Sequence, residues 1–143
     1  MPPPRLLSRV AVFPEQRYAL AQFRGKIDGP AIVEVGGEIV ADPTWEPGFT
    51  EVWDIRTCTA DVSPSQLPAL KAAEEGWKES LAGSRTVVII DRPLIRFSVE
   101  FYARMVRPLG REIQVCETAE EAAALLGIAA LPDLLDSPPP EAG

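Results

Sequence analysis

The stretch FTEVWDIRTCTADVSPSQL, residues 49–67, decides the fold of this chain. In its first part the side chains alternate between two faces, with Trp53 and Ile55 on one of them. Such alternation is typical of a β-strand, so we predict a strand over Phe49 to Arg56. The second part is rich in residues that start a helix. The stretch therefore indicates a strand followed by a helix. The junction between the two is the first candidate for a functional site.

The helix after this strand is predicted to begin at Ser63. Pro64 then occupies the first helical position, where the missing amide hydrogen has no cost. Ser63 and Gln66 have the spacing of a capping box, in which two side chains satisfy the free amides of a helix start. Apolar residues recur at helical spacing beyond this point, and Gly83 is predicted to end the helix.

The second half of the chain continues this alternation of strands and helices. Arg85 to Asp91 has an unbroken apolar centre, which favours an interior strand covered on both faces. A helix is predicted from Leu94 to Leu109. Its main apolar face comprises Leu94, Phe97, Phe101, Met105 and Leu109, and it is widened by Ile95, Tyr102 and Val106. That face exceeds the width that one buried stripe requires.

A last strand and a short helix are predicted near the carboxyl end. The strand covers Arg111 to Glu117. Thr118 and Glu121 form a second capping box, and Gly127 is predicted to end the short helix.

The first half of the chain contains one segment that local evidence leaves open. Two strands are predicted before it, Ser8 to Phe13 and Arg17 to Phe23. Residues 31–41 have the apolar spacing of a helix, yet Gly36 and Gly37 also suit the turn of a hairpin. Each glycine inside a helix costs about 1 kcal/mol relative to alanine.

The order of these elements predicts an α/β fold. Strands separated by helices imply a mixed, mainly parallel sheet with right-handed crossovers and about four helices. We place one domain at residues 8–130, after a loose amino terminus at residues 1–7. Residues 131–143 are predicted to be an irregular tail, disordered from Asp136, because the segment is short and rich in proline.

Composition excludes several classes of function. The chain has 143 residues and no histidine, so neither a Ser-His-Asp nor a Cys-His arrangement is available. The two cysteines, Cys58 and Cys116, match no metal-binding spacing and are expected to be reduced thiols. We expect no cofactor, no metal and no catalytic residue.

Charge and hydropathy set the expected partners and location. The net charge is −7, and the whole excess lies in residues 112–143, which contain acidic residues and no basic ones. Nucleic acid is therefore not an expected partner, because phosphate binding needs clustered cations. No apolar run reaches the roughly 18 residues that a membrane span needs, nor is there a signal-peptide core. We expect a cytoplasmic protein that is not integral to a membrane.

Several of these features together resemble a known group of proteins. They are the element order, the strand at residues 53–56, the capped junction after Asp61, and the helix start at residues 117–122. The combination resembles the SpoIIAA-like proteins of the STAS (anti-sigma-factor antagonist) superfamily, over roughly residues 17–127. The resemblance implies a STAS-like fold, and it favours a helix over residues 31–41.

The resemblance also indicates candidate regulatory residues. In the anti-sigma-factor antagonists, a serine at the start of the helix after the central strand is phosphorylated by a partner kinase. The matching residue here is Ser63, with Asp61 close to it. In the antagonists the serine directly follows the aspartate, whereas here Val62 separates the two and Pro64 follows Ser63. The alternative explanation of Ser63 is that it only caps the helix.

The predicted helix after the interior strand provides candidate ligand-binding residues. In open α/β sheets, ligands bind outside the carboxyl ends of strands, and this helix starts there. Arg92 and Arg96 could hold an anionic head group while Phe97 and Phe101 cover an apolar tail. The alternative is that Arg96 pairs with Glu100, four residues further along the helix.

These observations favour a non-enzymatic binding or regulatory module of STAS-like fold with an unidentified protein partner. The alternative is a carrier of a small apolar or amphipathic anionic, lipid-like ligand bound near residues 94–109. A large apolar pocket beneath that helix would favour the carrier, and a flat exposed surface at Ser63 would favour the protein-interaction module. A homodimer is compatible with either function.

Overall fold

The computed structural model describes residues 7–61 and 63–136. The strands are β1 (Leu7–Phe13), β2 (Tyr18–Asp28), β3 (Thr50–Asp61), β4 (Arg85–Ile89) and β5 (Glu112–Cys116). The helices are α1 (Gly29–Ala41), α2 (Leu67–Gly76), α3 (Pro93–Val106), α4 (Ala119–Leu126) and α5 (Leu131–Asp136). Of the loose start predicted at residues 1–7, Leu7 belongs to β1 and residues 1–6 lie outside the described residues. Residues 137–143 of the tail predicted to be disordered from Asp136 also lie outside them.

The described strands form one five-stranded sheet in the order β1-β2-β3-β4-β5. β1 is antiparallel to β2, and the other three pairings are parallel. The predicted mixed, mainly parallel sheet is therefore confirmed. β4 lies between parallel neighbours, as its apolar run predicts, with Val87 buried on one face and Val88 on the other.

Helices cover both faces of the sheet. α1 and α3 pack on the face that carries Trp53 and Ile55, and α2 contacts both of these helices. α4 and α5 pack on the opposite face, which carries Val52. Because successive residues of a strand point to opposite sides, β3 contributes alternately to the two cores.

The segment that local sequence left open is helical. The Asp28 carboxylate accepts a hydrogen bond from the amide of Ala31 at 2.9 Å and so caps α1. Gly36 is required there, because a Cβ at this position would lie 2.5 Å from Cη2 of Trp77. A Cβ at Gly37 would meet nothing within 4 Å. The first glycine is therefore a packing contact and not a hairpin turn.

Three predicted boundaries are wrong by about five residues or more. β2 continues to Asp28 and β3 to Asp61, because the two strands stay paired beyond a register shift near Gln22. The helix predicted to end at Gly83 ends at Gly76. Glycine is a poor helix former, and the chain beyond it continues in hydrogen-bonded turns.

The tail predicted to be irregular contains a helix. Leu131 and Leu135 of α5 are buried against the sheet. Arg9 and Gln22 donate hydrogen bonds to carbonyl oxygens in the last turn of α5, at 2.8 and 2.6 Å. The prediction of an irregular tail is therefore wrong for residues 131–136, because proline suits the first turn of a helix and the two leucines bury apolar surface.

Among the described helices, α3 is the longest, at 14 residues. None of them is both long enough and apolar enough to cross a bilayer.

Candidate ligand groove

The junction after β3 differs from the predicted capping box. Residues Pro64–Gln66 form a single 3-10 turn before α2. Ser63 precedes this turn, and its side chain caps no backbone amide. Its hydroxyl lies 2.8 Å from the hydroxyl of Ser65 instead. The predicted capping box of Ser63 and Gln66 is therefore wrong.

Gln66 has a different partner, which explains this difference. Its Oε1 accepts a hydrogen bond from the backbone amide of Gly29 at 2.9 Å. A Cβ at Gly29 would lie 2.9 Å from the Cβ of Gln66, so only glycine allows this approach. The side chain therefore satisfies a free amide at the start of α1 and links the two helix starts.

α3 is rotated relative to its predicted orientation. Ile95 and Val106 are buried. Leu94, Phe97 and Phe101, predicted as the main buried face, are 86%, 67% and 49% exposed. The helix carries two overlapping apolar stripes, and the one with β-branched residues faces the sheet. The other stripe is left at the surface, beside a cavity.

This cavity has a volume of about 420 Å³ and lies between α3, the 3-10 turn and the sheet. Its floor includes Ile27, Trp53, Ile55 and Val88. Ile27 and Val88 stand near the carboxyl ends of β2 and β4, and Trp53 and Ile55 stand between them near the middle of β3. This is the end of a parallel sheet where ligands usually bind. We call this cavity the α3 groove.

The walls of the α3 groove come from two separate segments of the chain. Phe97, Phe101 and Tyr102 of α3 form one wall. Ser63 and Leu67 form the other. None of the described residues that line the groove is charged. The two regions predicted as separate candidate sites therefore meet at one apolar groove.

The two arginines predicted to hold an anionic head group do not line the groove. Arg92 Nη1 donates to the carbonyl oxygen of Cys58 at 3.1 Å. Arg96 donates to Glu100 at 3.0 Å and to Glu117 at 2.8 Å. The structure brings Phe97 and Phe101 to the groove and directs both arginines to partners of their own.

The two aspartates of β3 are placed differently from each other. Asp54 is buried and forms a two-pronged ion pair with Arg56, with contacts of 2.9 and 3.1 Å. Asp61 is the last residue of β3 and pairs with Asp28 across the strands. The side chain of Asp61 lies outside the described part of the structure.

A buried ionic cluster, which the sequence did not predict, lies at the opposite end of the same layer. Arg111 Nε contacts Glu74 Oε2 at 2.7 Å, and its Nη2 contacts Glu51 Oε1 at 3.2 Å. All three side chains are almost fully buried. Thr86 and Tyr102 complete this ionic cluster. The cluster therefore holds two carboxylates against one guanidinium.

Hydrogen bonds connect every member of the ionic cluster. Thr86 Oγ1 donates to Glu51 at 2.7 Å and accepts from Arg111 Nη1 at 2.8 Å. The Tyr102 hydroxyl donates to Glu74 Oε1. Burial raises the pKa of Glu51, and burial together with the Glu74 charge raises the pKa of Tyr102. Tyr102 is thus shared between the ionic cluster and the groove wall.

Two signals in the sequence could have revealed this cluster. Glu51 shares a strand face with Trp53, so a carboxylate points into an apolar layer. Glu74 follows Leu67 by seven residues and Leu70 by four, which places it on the buried side of α2. The spacing predicts charged residues at core positions, and such residues are almost always paired.

The two cysteines of the chain are buried free thiols. Burial, with a smaller effect of Asp54, raises the pKa of the Cys58 thiol to about 12. Burial also raises the pKa of Cys116. Because the thiolate is the reactive form, both side chains are weak nucleophiles. Within the described ranges, no three metal-binding side chains are grouped together.

The fold is similar to several solved structures. One is an uncharacterized protein from the DUF3478 family with a SpoIIAA-like fold, from Shewanella loihica PV-4. Its TM-score is 0.56 at 12% identity, over 85% of this chain and 93% of that one. An anti-sigma factor antagonist from Mycobacterium paratuberculosis gives 0.54 at 18% identity, over 86% and 95%. The anti-sigma factor antagonist SpoIIAA in its unphosphorylated form gives 0.53 at 13%, over 85% and 98%.

The chain therefore has a SpoIIAA-like fold, the fold found in anti-sigma factor antagonists. This confirms the fold that the sequence resemblance implied. No family model and no curated protein matches the chain. At these identities the likeness shows the fold alone, so any functional assignment must come from the groove and its surroundings.

Proposed function

We propose that this protein is a non-enzymatic binding module that holds a small apolar molecule in the α3 groove. The observation that carries the proposal is the groove itself, about 420 Å³ in volume and lined by apolar side chains from the sheet, α3 and the Ser63 turn. That volume falls within the usual range for small-molecule sites, and such sites are mostly apolar.

The exposed aromatic residues of α3 support this proposal. Phe97 and Phe101 are 67% and 49% exposed and line the groove. Contact with an apolar ligand would remove part of this surface from water, which stabilises a complex by about 25 cal/mol per Å². Arg92 and Arg96 have other partners, so the groove residues supply apolar contact rather than a charge.

A regulatory protein partner is the second candidate function. The fold is that of anti-sigma factor antagonists, and Leu94, at 86% exposure, adds an apolar residue outside the groove. In this case α3 would present Leu94, Phe97 and Phe101 together to the partner. Ser63, predicted as a regulatory residue, would lie beside that contact, because it lines the groove next to α3.

A pair of matched variants separates the two functions. Phe97→Ser changes a residue of the groove wall, and Leu94→Ser changes an exposed residue of the same helix outside the groove. The probe is the uncharged dye N-phenyl-1-naphthylamine, whose fluorescence rises in apolar sites. We expect the wild type to bind the dye and Phe97→Ser to bind it about tenfold more weakly. Leu94→Ser should stay within about twofold of the wild type.

The other outcomes are equally informative. Equal losses in the two variants would indicate a surface that binds through all its exposed side chains, which supports the protein-contact function. No dye binding to the wild type would reject the groove as a ligand site. Native mass spectrometry of the purified protein provides an independent check, since a retained small molecule would appear as a fixed mass increment.

A further inference from the structure

One residue of the groove floor carries a polar atom that has no partner among the described residues. Trp53 forms part of the groove floor and is 8% exposed. Its indole Nε1 is buried, and no described residue accepts a hydrogen bond from it. The ring is held by stacking on Phe23, with ring centroids 5.2 Å apart. Buried indole N–H groups usually have an acceptor, so this atom requires an explanation.

A second tryptophan of the same chain shows the usual arrangement. Trp45 is as buried as Trp53, also at 8% exposure. Its Nε1 donates to the carbonyl oxygen of Ser80 at 2.9 Å. The fold therefore provides an acceptor for the indole of Trp45, which does not line the groove, and no described acceptor for that of Trp53, which does.

The other polar groups on the groove walls are already engaged. The Tyr102 hydroxyl donates to Glu74. The hydroxyls of Ser63 and Ser65 pair with each other. The Ser98 hydroxyl bonds weakly, at 3.4 Å, to a carbonyl oxygen of its own helix. Among the described lining residues, Trp53 Nε1 is therefore the buried donor that has no acceptor.

We infer that the ligand of the α3 groove is an uncharged apolar molecule with one hydrogen-bond-accepting oxygen, such as a ketone or ester carbonyl, which accepts from Trp53 Nε1. This inference rests on the proposed function. The oxygen belongs to an uncharged group because the described lining residues carry no charge, and a buried carboxylate without a cation is strongly disfavoured. Because Nε1 is shielded from solvent, the side chains around it must move to admit the oxygen.

The indole N–H resonances report this bond directly. The ¹⁵N-labelled wild-type protein is titrated with 2-decanone and, separately, with decane. We expect 2-decanone to move the Trp53 N–H resonance downfield, as hydrogen bonding does, and decane to move it little. The Trp45 N–H resonance should stay in place with both compounds, because its acceptor is within the protein. Trp53→Phe assigns the resonance by its disappearance.

Affinities measured by dye displacement give an independent readout. The ratio of 2-decanone affinity to decane affinity is compared between the wild type and Trp53→Phe. Replacing Trp53 also changes the packing around both compounds, and the ratio of their affinities cancels this shared effect. A hydrogen bond of ordinary strength predicts that this ratio falls about fivefold in the variant. The resonance experiment on the wild type stands even where the variant folds poorly.

The results separate this inference from the proposed function. If both compounds bind but the Trp53 resonance responds equally to each and the affinity ratio is unchanged, the inference is overturned and the groove remains an apolar site. If neither compound nor the dye binds, the proposed function fails and the inference with it. A selective downfield shift together with a reduced ratio supports both.

Discussion

The α3 groove and the ionic cluster lie at opposite ends of one helical layer and have opposite chemistry. The groove lies towards the carboxyl ends of the strands, and its described lining is uncharged. The ionic cluster lies at the amino ends, where Glu51 and Thr86 are second residues of their strands. Tyr102 is common to both, because its ring lines the groove and its hydroxyl donates to Glu74.

This difference separates the part of the layer that fixes its geometry from the part that can accept a ligand. In the ionic cluster, strands β3 and β4, helices α2 and α3, and Arg111 before β5 are joined by directional hydrogen bonds with little freedom. At the groove, α3 and the 3-10 turn leave a cavity above the sheet. We expect variants in the cluster to change stability, and variants in the groove to change binding.

The largest expected effect is at Arg111. Arg111→Met would leave the carboxylates of Glu51 and Glu74 buried without a cation. Removing one partner of a buried ion pair typically costs about 3–5 kcal/mol. We therefore expect a comparable loss in the free energy of unfolding, measured by urea denaturation. Where Arg111→Met does not fold, Arg111→Lys keeps the charge but loses the forked geometry, and a smaller loss is expected.

Arg104→Met is the matched control for Arg111→Met. Arg104 is an exposed arginine of α3 and forms no ion pair with the described residues, so its replacement should change stability by about 0.5 kcal/mol or less. If the two variants lose the same stability, the ionic cluster has no special structural role. The distinction between a structural ionic cluster and a ligand-binding groove would then not hold.

The second prediction concerns the excess negative charge of the cluster. Burial raises the pKa of Glu51 above its ordinary value of 4.5, although Arg111 and Thr86 oppose this shift. The folded protein therefore holds the Glu51 proton more tightly than the unfolded chain does. The stability that results is fully present below about pH 4.5 and is lost as the pH rises through the folded-state pKa.

Glu51→Gln tests this pH dependence because it removes the titrating group and keeps the shape. Urea denaturation of both proteins is followed from about pH 4.5 to about pH 7. The stability of the wild type minus that of Glu51→Gln should fall as the pH rises. A difference that stays constant, or that grows with pH, would show that Arg111 compensates both carboxylates. The cluster would then carry no excess charge.

The sequence predicted features that depend on local pattern. The unbroken apolar run of β4 predicted an interior strand correctly, because both faces of such a strand must be covered. Thr118 was correctly predicted to cap α4, and its hydroxyl accepts from the amide of Glu121 at 3.0 Å. The STAS-like fold followed from the order of such elements along the chain.

Features that depend on distant contacts could not be predicted in this way. Whether Gly36 lies in a helix or a turn depends on Trp77, which packs directly against it. The buried stripe of α3 could not be chosen from spacing alone, because Leu94 and Ile95 each begin a helical stripe.

Gln66 and Ser63 had the spacing of a capping box, but Gln66 binds the start of another helix. In each case tertiary packing overrides a locally sound pattern.

The smallest expected effect is at Ser63, and it sharpens the contrast between structural and binding residues. Ser63 lines the groove and caps no amide, whereas Thr118 caps α4. Ser63→Ala should therefore change the free energy of unfolding by less than about 0.5 kcal/mol, and Thr118→Ala should lower it by about 1 kcal/mol. Urea denaturation of the two variants measures both values. Equal losses would mean that Ser63 supports the helix start after all, and that its place on the groove wall follows from a structural role.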